Sequence, residues 1–102
     1  MKAIADVCVV PLTGRISVRE EVTRAHAILR EAGLECRLHA YGTNVEGELA
    51  QVLAAIQRVH EELHADGVPR LSTTIKLGTR TDKSQSMDDK IDVVRSALSP
   101  ES

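Results

Sequence analysis

The stretch Ala40-Tyr41-Gly42-Thr43-Asn44-Val45-Glu46-Gly47-Glu48 separates an alternating apolar run from a strongly periodic helical one, and it decides the fold. Glycine tolerates backbone conformations that other residues resist, so a tight turn here lets residues 43–46 pair back as a short third strand. The stretch also holds the only aromatic residue, two hydroxyls, an amide and two carboxylates. It is therefore the candidate small-molecule site.

The strand before this stretch is predicted over residues 34–41. Its apolar positions 36, 38 and 40 alternate with polar positions 35, 37, 39 and 41, which is typical of a sheet with helices on one face. A helix follows from Glu48, with an apolar stripe at Leu49, Val52, Leu53, Ile56, Val59 and Leu63. Gly67 and Pro69 end that helix.

The outer parts of the chain complete the pattern. Residues 3–10 predict a first strand, and Ser17 with Glu20 predicts a capping box that opens a helix over 17–32, closed by Gly33. Residues 70–77 predict a last strand, and residues 86–89 open a final helix in the same capping fashion. Residues 97–102 are expected to form a frayed tail.

This order predicts one α+β domain over residues 1–102: a ferredoxin-like split β-α-β sandwich (βαββαβ) with an extra C-terminal helix. Two helices would cover one sheet face and leave the other open. Such a mixed face suits dimerisation and ligand binding. Its predicted members are Asp6, Cys8, Val10, Arg37, His39, Tyr41, Ser72, Thr74 and Lys76.

Composition limits the possible functions. The chain has 102 residues, 42% of them hydrophobic, with one tyrosine and no phenylalanine or tryptophan, so its core must be aliphatic. A domain of this size buries only about two-thirds of its unfolded surface, so self-association as a homodimer or homotetramer would help. The net charge of −2 and scarce aromatics argue against nucleic acid as a partner.

The expected location is the cytoplasm. No apolar run approaches the roughly 20 residues of a membrane span, and residues 1–6 show no export signal, so no membrane partner is expected. Cys8 and Cys36 lie in alternating apolar runs, where small reduced thiols are favoured over a disulfide.

The segment His60-Glu61-Glu62-Leu63-His64 fits the H-E-x-x-H string of zinc enzymes. Five residues make a weak match in so charged a helix, and no third ligand follows in a sensible context, so ordinary structural roles are favoured for both histidines. No phosphate loop or nucleophile with a partner base is visible. We therefore expect no enzyme, no metal and no cofactor.

A binding site fits these residues better. Tyr41 offers a flat face to a ring or cation, Thr43, Asn44, Glu46 and Glu48 offer polar contacts, and Thr74 and Lys76 line the wall. Two alternatives stay open: the glutamates cap the next helix, and Tyr41 packs at a subunit contact. In that case the open sheet face would serve only oligomerisation, as in a structural or interaction protein.

With these residues in view, the chain resembles the thiamine-binding-protein-like family of small ferredoxin-like domains. The Gly-Thr followed by Glu-Gly-Glu in residues 42–48 carries the likeness most specifically. Weaker matches are Val9-Val10-Pro11-Leu12, Ser17-Val18, Val59-His60-Glu61, Gly67, Arg70, Thr74-Ile75-Lys76, Arg80, Lys83 and Lys90. The resemblance implies dimers or tetramers and a bound thiamine, or its pyrimidine half, held without chemistry. Such a ligand is a heteroaromatic cation that carboxylates and an aromatic face could hold.

Overall fold

A computed structural model describes residues 1–99 as four strands and three helices. They are β1 (Lys2–Leu12), α1 (Arg19–Glu31), β2 (Glu35–His39), β3 (Gly42–Glu48), α2 (Leu49–Ala65), β4 (Arg70–Thr79) and α3 (Met87–Leu98). This βαββαβ order with a C-terminal helix confirms the predicted fold class. Of the expected tail, residues 97 and 98 are helical, and residues 100–102 lie outside the described part of the chain.

The four strands form one antiparallel sheet in the order β2-β3-β1-β4. The first strand therefore pairs with the third and fourth, which is the split arrangement expected of a ferredoxin-like sandwich. Asp6 faces Asn44 on one side and Lys76 on the other, and Asn44 faces Arg37. These four polar residues form one row across the sheet.

Helices α1 and α2 cover one face of the sheet and enclose an aliphatic core. Successive side chains of a strand alternate between faces, so Ala3, Ala5 and Val7 point to the helices while Asp6 points away. Val45 of β3 and Val52 of α2 are fully buried between these layers. The core thus meets the aliphatic expectation.

The starts of helices α1 and α3 differ in how they are capped. The capping box predicted at Ser17 is wrong: α1 begins after Val18, which makes no side-chain capping bond. The box predicted at Ser86 is confirmed, since Ser86 Oγ accepts from the Asp89 N–H and the Asp89 carboxylate accepts from the Ser86 N–H. Gly33, at φ 83°, has the left-handed conformation expected of a helix end.

The hairpin between β2 and β3 is tighter than predicted. Strand β2 ends at His39, residues 40 and 41 form the turn, and β3 runs over seven residues. Tyr41 therefore lies at the tip of the hairpin, 84% exposed, and not on the strand face where alternation had placed it. A turn breaks the two-residue period, so alternation cannot be extended through it.

The first turn of helix α3 contacts the face of the sheet that α1 and α2 leave open. The backbone N–H of Met87 donates to Glu46 Oε1 of β3 at 2.6 Å, and Arg37 of β2 pairs with Asp88 at 3.1 Å. Met87 is buried, whereas the rest of the predicted apolar stripe is exposed: Ile91 by 41%, Val94 by 57% and Leu98 by 77%.

Candidate functional site

A cavity of about 590 Å³ lies between the open sheet face, α3 and the loop that joins β4 to α3. This volume is in the range of small-molecule sites, which measure about 300–1,000 Å³. Its lining comprises Lys2, Ile4, Ala5, Asp6, Asn44, Lys76, Leu77, Gly78, Thr79, Arg80, Lys83, Ser84, Gln85, Met87, Lys90 and Ile91.

The polar floor of this cavity follows from strand register. Asn44, Asp6 and Lys76 stand directly opposite one another on β3, β1 and β4, so their side chains share one face of the sheet. An amide, a carboxylate and an ammonium thus lie in adjacent positions, with strands about 4.8 Å apart. This row can offer both donors and acceptors to a bound molecule.

The apolar part of the cavity comes from Ile4 on the sheet and from Met87 and Ile91 on α3. Glu46 holds that helix in place, because its carboxylate accepts from the Met87 N–H and also lies 3.5 Å from Lys2 Nζ. Hydrogen bonds from the Ser86 backbone N–H and hydroxyl lower the pKa of Asp89 in the first turn. The carboxylate therefore stays ionised and keeps the start of α3 fixed.

A histidine–carboxylate pair borders the site. His39 Nε2 lies 2.6 Å from Asp6 Oδ1, and the Tyr41 N–H donates to His39 Nδ1 at 3.3 Å. A neutral imidazole that accepts at Nδ1 must carry its proton at Nε2, so His39 donates to Asp6. Sequence patterning placed both residues on the open face but could not pair them, because their strands are separated by β3.

Of the seven predicted site residues, the structure brings Asn44 and Lys76 together in this cavity. Glu46 adjoins it but is engaged by α3 and Lys2. Thr74 lies on the same face, opposite Cys8, outside the lining. Glu48 binds the N-terminal ammonium at 2.8 Å, and that hydrogen bond lowers its pKa.

The remaining two predicted site residues, Tyr41 and Thr43, lie elsewhere. Thr43 faces the helices, is only 5% exposed, and its Oγ1 lies 3.1 Å from His26 Nδ1 of α1. Tyr41 and Thr43 instead line a second cavity of about 230 Å³ between α1, β1 and the hairpin. The stretch 40–48 therefore serves two cavities, and only its Asn44 reaches the larger one.

Sequence reasoning did not select Ile4, Met87 or Ile91, nor the basic residues at positions 80, 83 and 90, as members of one site. The first three look like ordinary core positions of a strand and a helix. The loop after β4 contains Arg80 and Lys83, and α3 contains Lys90. This cluster of basic residues was the signal in the sequence that could have indicated the cavity.

The two histidines of the H-E-x-x-H string have separate partners. His60 Nε2 lies 2.7 Å from Thr73 Oγ1 of β4. His64 Nδ1 donates to the Val68 carbonyl at 2.8 Å, because a carbonyl oxygen can only accept. Within residues 1–99 no group of three or more histidine, cysteine, aspartate or glutamate side chains is placed to hold a metal ion. His60 thus joins α2 to β4, and His64 joins α2 to the loop that follows it.

Both cysteines are half-buried free thiols. Burial raises the pKa of the Cys36 thiol, which keeps it protonated and unreactive near neutral pH. No helix within residues 1–99 combines the length and the apolar character needed to cross a membrane.

Comparison with known proteins identifies relatives of the whole chain. The family model described as thiamine-binding protein matches residues 5–95. A UPF0045 protein of Synechocystis is 46% identical over 98 residues, covering 96% of this chain and 81% of the relative. A UPF0045 protein of Eremothecium gossypii is 41% identical over 100 residues, covering 97% and 95%.

Solved structures agree with the fold. A hypothetical protein of Methanocaldococcus jannaschii superposes with a TM-score of 0.85 at 28% identity, covering 92% of this chain and 96% of the other. A Thermotoga maritima protein, assigned only provisionally to thiamine biosynthesis or salvage, superposes with a TM-score of 0.81 at 18% identity, covering 93% and 100%. Because its identity is so low, the likeness to the Thermotoga maritima protein supports the fold alone.

Proposed function

The chain belongs to the thiamine-binding protein family, and from that premise we propose that it binds thiamine, or the aminopyrimidine half of thiamine, without chemistry. The ligand occupies the larger cavity on the open sheet face. The observation that carries this proposal is the lining itself, which combines the apolar side chains of Ile4, Met87 and Ile91 with an amide and a carboxylate in a volume of about 590 Å³.

The chemistry of the lining suits a heteroaromatic ring. Ile4 and Ile91 offer flat apolar contacts, and the flexible thioether of Met87 packs favourably against aromatic edges. Asn44 can donate and accept, and Asp6 accepts, so the amino group and ring nitrogens of an aminopyrimidine find partners. In this arrangement Asn44 and Lys76 keep the ligand-binding roles expected from the sequence.

Roles for Tyr41, Thr43, Glu46, Glu48 and Thr74 in direct ligand contact stay predictions. The smaller cavity of about 230 Å³ falls below the usual range for small-molecule sites, which favours the larger one. The carboxylates of Glu46 and Glu48 already have cationic or N–H partners, so Asp6 is the better counter-charge to a ligand cation.

Self-association belongs to the same proposal. The α3 stripe of Ile91, Val94 and Leu98 is largely exposed in the single chain, and a partner subunit would bury it. A homodimer or homotetramer in the cytoplasm, with both thiols reduced, fits these features. The exposed stripe also supports the alternative, in which the open face serves assembly only.

Isothermal titration calorimetry and melting curves test the ligand assignment. Thiamine, or the free aminopyrimidine, should release or absorb heat and raise the melting temperature of the wild-type protein. Asn44→Ala should weaken binding by about tenfold, since it removes one hydrogen-bonding partner worth roughly 1–1.5 kcal/mol. Ser72→Ala, on the same sheet face but outside the lining, should leave affinity unchanged.

The absence of both heat and a melting shift at millimolar ligand would refute the ligand assignment. If Asn44→Ala and Ser72→Ala weakened binding equally, the ligand would have to lie elsewhere on the sheet face. Loss of oligomerisation with no ligand effect in any variant would favour the assembly-only alternative.

A further inference from the structure

All four lysines of this chain line the larger cavity. Arg80 joins them, so within residues 1–99 five basic side chains and one carboxylate, that of Asp6, line this space. They come from separate elements: Lys2 from β1, Lys76 from β4, Arg80 and Lys83 from the following loop, and Lys90 from α3. Every lysine of a chain with a net charge of −2 thus lies at one cavity, whereas eight of its nine arginines lie outside the lining.

Two of these five cations have carboxylate partners. Lys2 lies 3.5 Å from Glu46, and Arg80 pairs with Asp82, whose pKa falls to about 2 as a result. Among residues 1–99, no carboxylate lies within 4.0 Å of the ammonium groups of Lys76, Lys83 or Lys90.

The nearby carboxylates form no close ion pair with these three ammonium groups. Asp6 faces Lys76 across the strands, but His39 donates to its Oδ1 at 2.6 Å. Asp89 feels the charges of Lys2 and Lys83, yet its Oδ2 is bound to the Ser86 N–H. Among the residues that line the cavity, five side chains are cationic and one is anionic, so positive charge is in excess there.

An anion would relieve the repulsion among these cations. A phosphate monoester carries a charge of about −1.5 to −2 near pH 7 and offers three strong acceptor oxygens. Charge-assisted hydrogen bonds from ammonium groups to such oxygens are roughly twice as strong as neutral ones. A ligand whose only charge is a cation would gain from Asp6 alone and would face the five basic groups unfavourably.

We infer that the cavity selects a phosphate ester: the ring packs against the apolar part of the lining, and a phosphate on the ligand's alcohol is held by Lys76, Lys83 and Lys90. This inference rests on the proposed function, because it names which form of the same ligand is bound. It assigns the lysines to the phosphate and leaves Asn44 and Asp6 to the ring.

Calorimetry with three ligands tests the inference on the full-length protein: thiamine, its phosphate monoester and inorganic phosphate. The ester should bind at least about tenfold more tightly than the free alcohol, and raising the salt concentration should reduce that advantage. The double variant K83Q/K90Q should lower the affinity for the ester at least about tenfold and so abolish the preference. Arg95→Gln, a charge removal on the same helix outside the lining, should keep the preference.

The outcomes separate this inference from the proposed function. Equal or tighter binding of free thiamine would overturn the phosphate preference and keep the proposed function. Binding of inorganic phosphate without binding of either thiamine form would support the anion site and overturn the aromatic ligand. No binding of any of the three would overturn both. An unchanged melting temperature of K83Q/K90Q is required, so that lost binding is not mistaken for unfolding.

Discussion

Replacing Glu46 with alanine should release α3 from the sheet while leaving the rest of the domain folded. The Glu46 side chain is only 12% exposed, and its carboxylate accepts from the Met87 N–H at 2.6 Å. A hydrogen bond to a charged group contributes about 1.5–3 kcal/mol. Since 1.4 kcal/mol corresponds to a factor of ten, the docked population of α3 should fall about 10- to 150-fold relative to the undocked one.

Hydrogen exchange measures this change directly. Amide protons of α3 should exchange faster in Glu46→Ala by about that factor, whereas those of the buried strand β1 should not. Because α3 forms one wall of the larger cavity, the affinity for any ligand bound there should fall as the fraction of molecules with a docked α3 falls. Glu46→Gln keeps an acceptor for Met87 and should show a smaller effect.

Glu48→Ala is the matched control, two residues along the same strand. Its carboxylate is exposed and pairs with the N-terminal ammonium, so its loss should leave α3 exchange unchanged. Equal exchange rates in α3 for Glu46→Ala and wild type would refute the reasoning, and would mean that the Arg37–Asp88 pair and buried Met87 hold the helix without Glu46.

Three further predictions concern the sheet, the loop and the assembly. Gly42→Ala should destabilise the protein by about 1–3 kcal/mol in urea unfolding, because a Cβ there would lie 2.5 Å from the Val7 carbonyl oxygen; Gly78→Ala, with its nearest atom at 3.8 Å, should cost nothing measurable. The Asp82 carboxyl should titrate near pH 2 by NMR because of Arg80, against about 3.9 when unfolded. Its pKa is depressed in the folded state, so its stabilising contribution is present above about pH 4 and is lost as the pH falls towards 2. Val94→Asp should dissociate the proposed homodimer or homotetramer in sedimentation experiments, whereas an unchanged mass would contradict an interface at this stripe.

Helix α3 shows where prediction from the sequence succeeded and where it stopped. Its capping box at Ser86 and Asp89 is local, because both bonds join residues three apart, and it was predicted correctly. Its contact with the open sheet face includes the bond from Met87 to Glu46, 41 residues away, and no local pattern encodes that contact. The cavity that α3 forms could therefore not be predicted from the sequence.

The stretch 40–48 divides in the same way. The sequence by itself determined that it contains a turn, a strand and the start of a helix, because glycine positions and apolar periodicity act over a few residues. Only the tertiary structure decided which of its side chains share a space: the turn carries Tyr41 to the hairpin tip, and the pleat sends Thr43 to the helices and Asn44 to the open face. The chemistry of a cavity depends on which side chains from distant strands meet there. Strand register and helix docking decide this, and both are set by the packing of the whole domain.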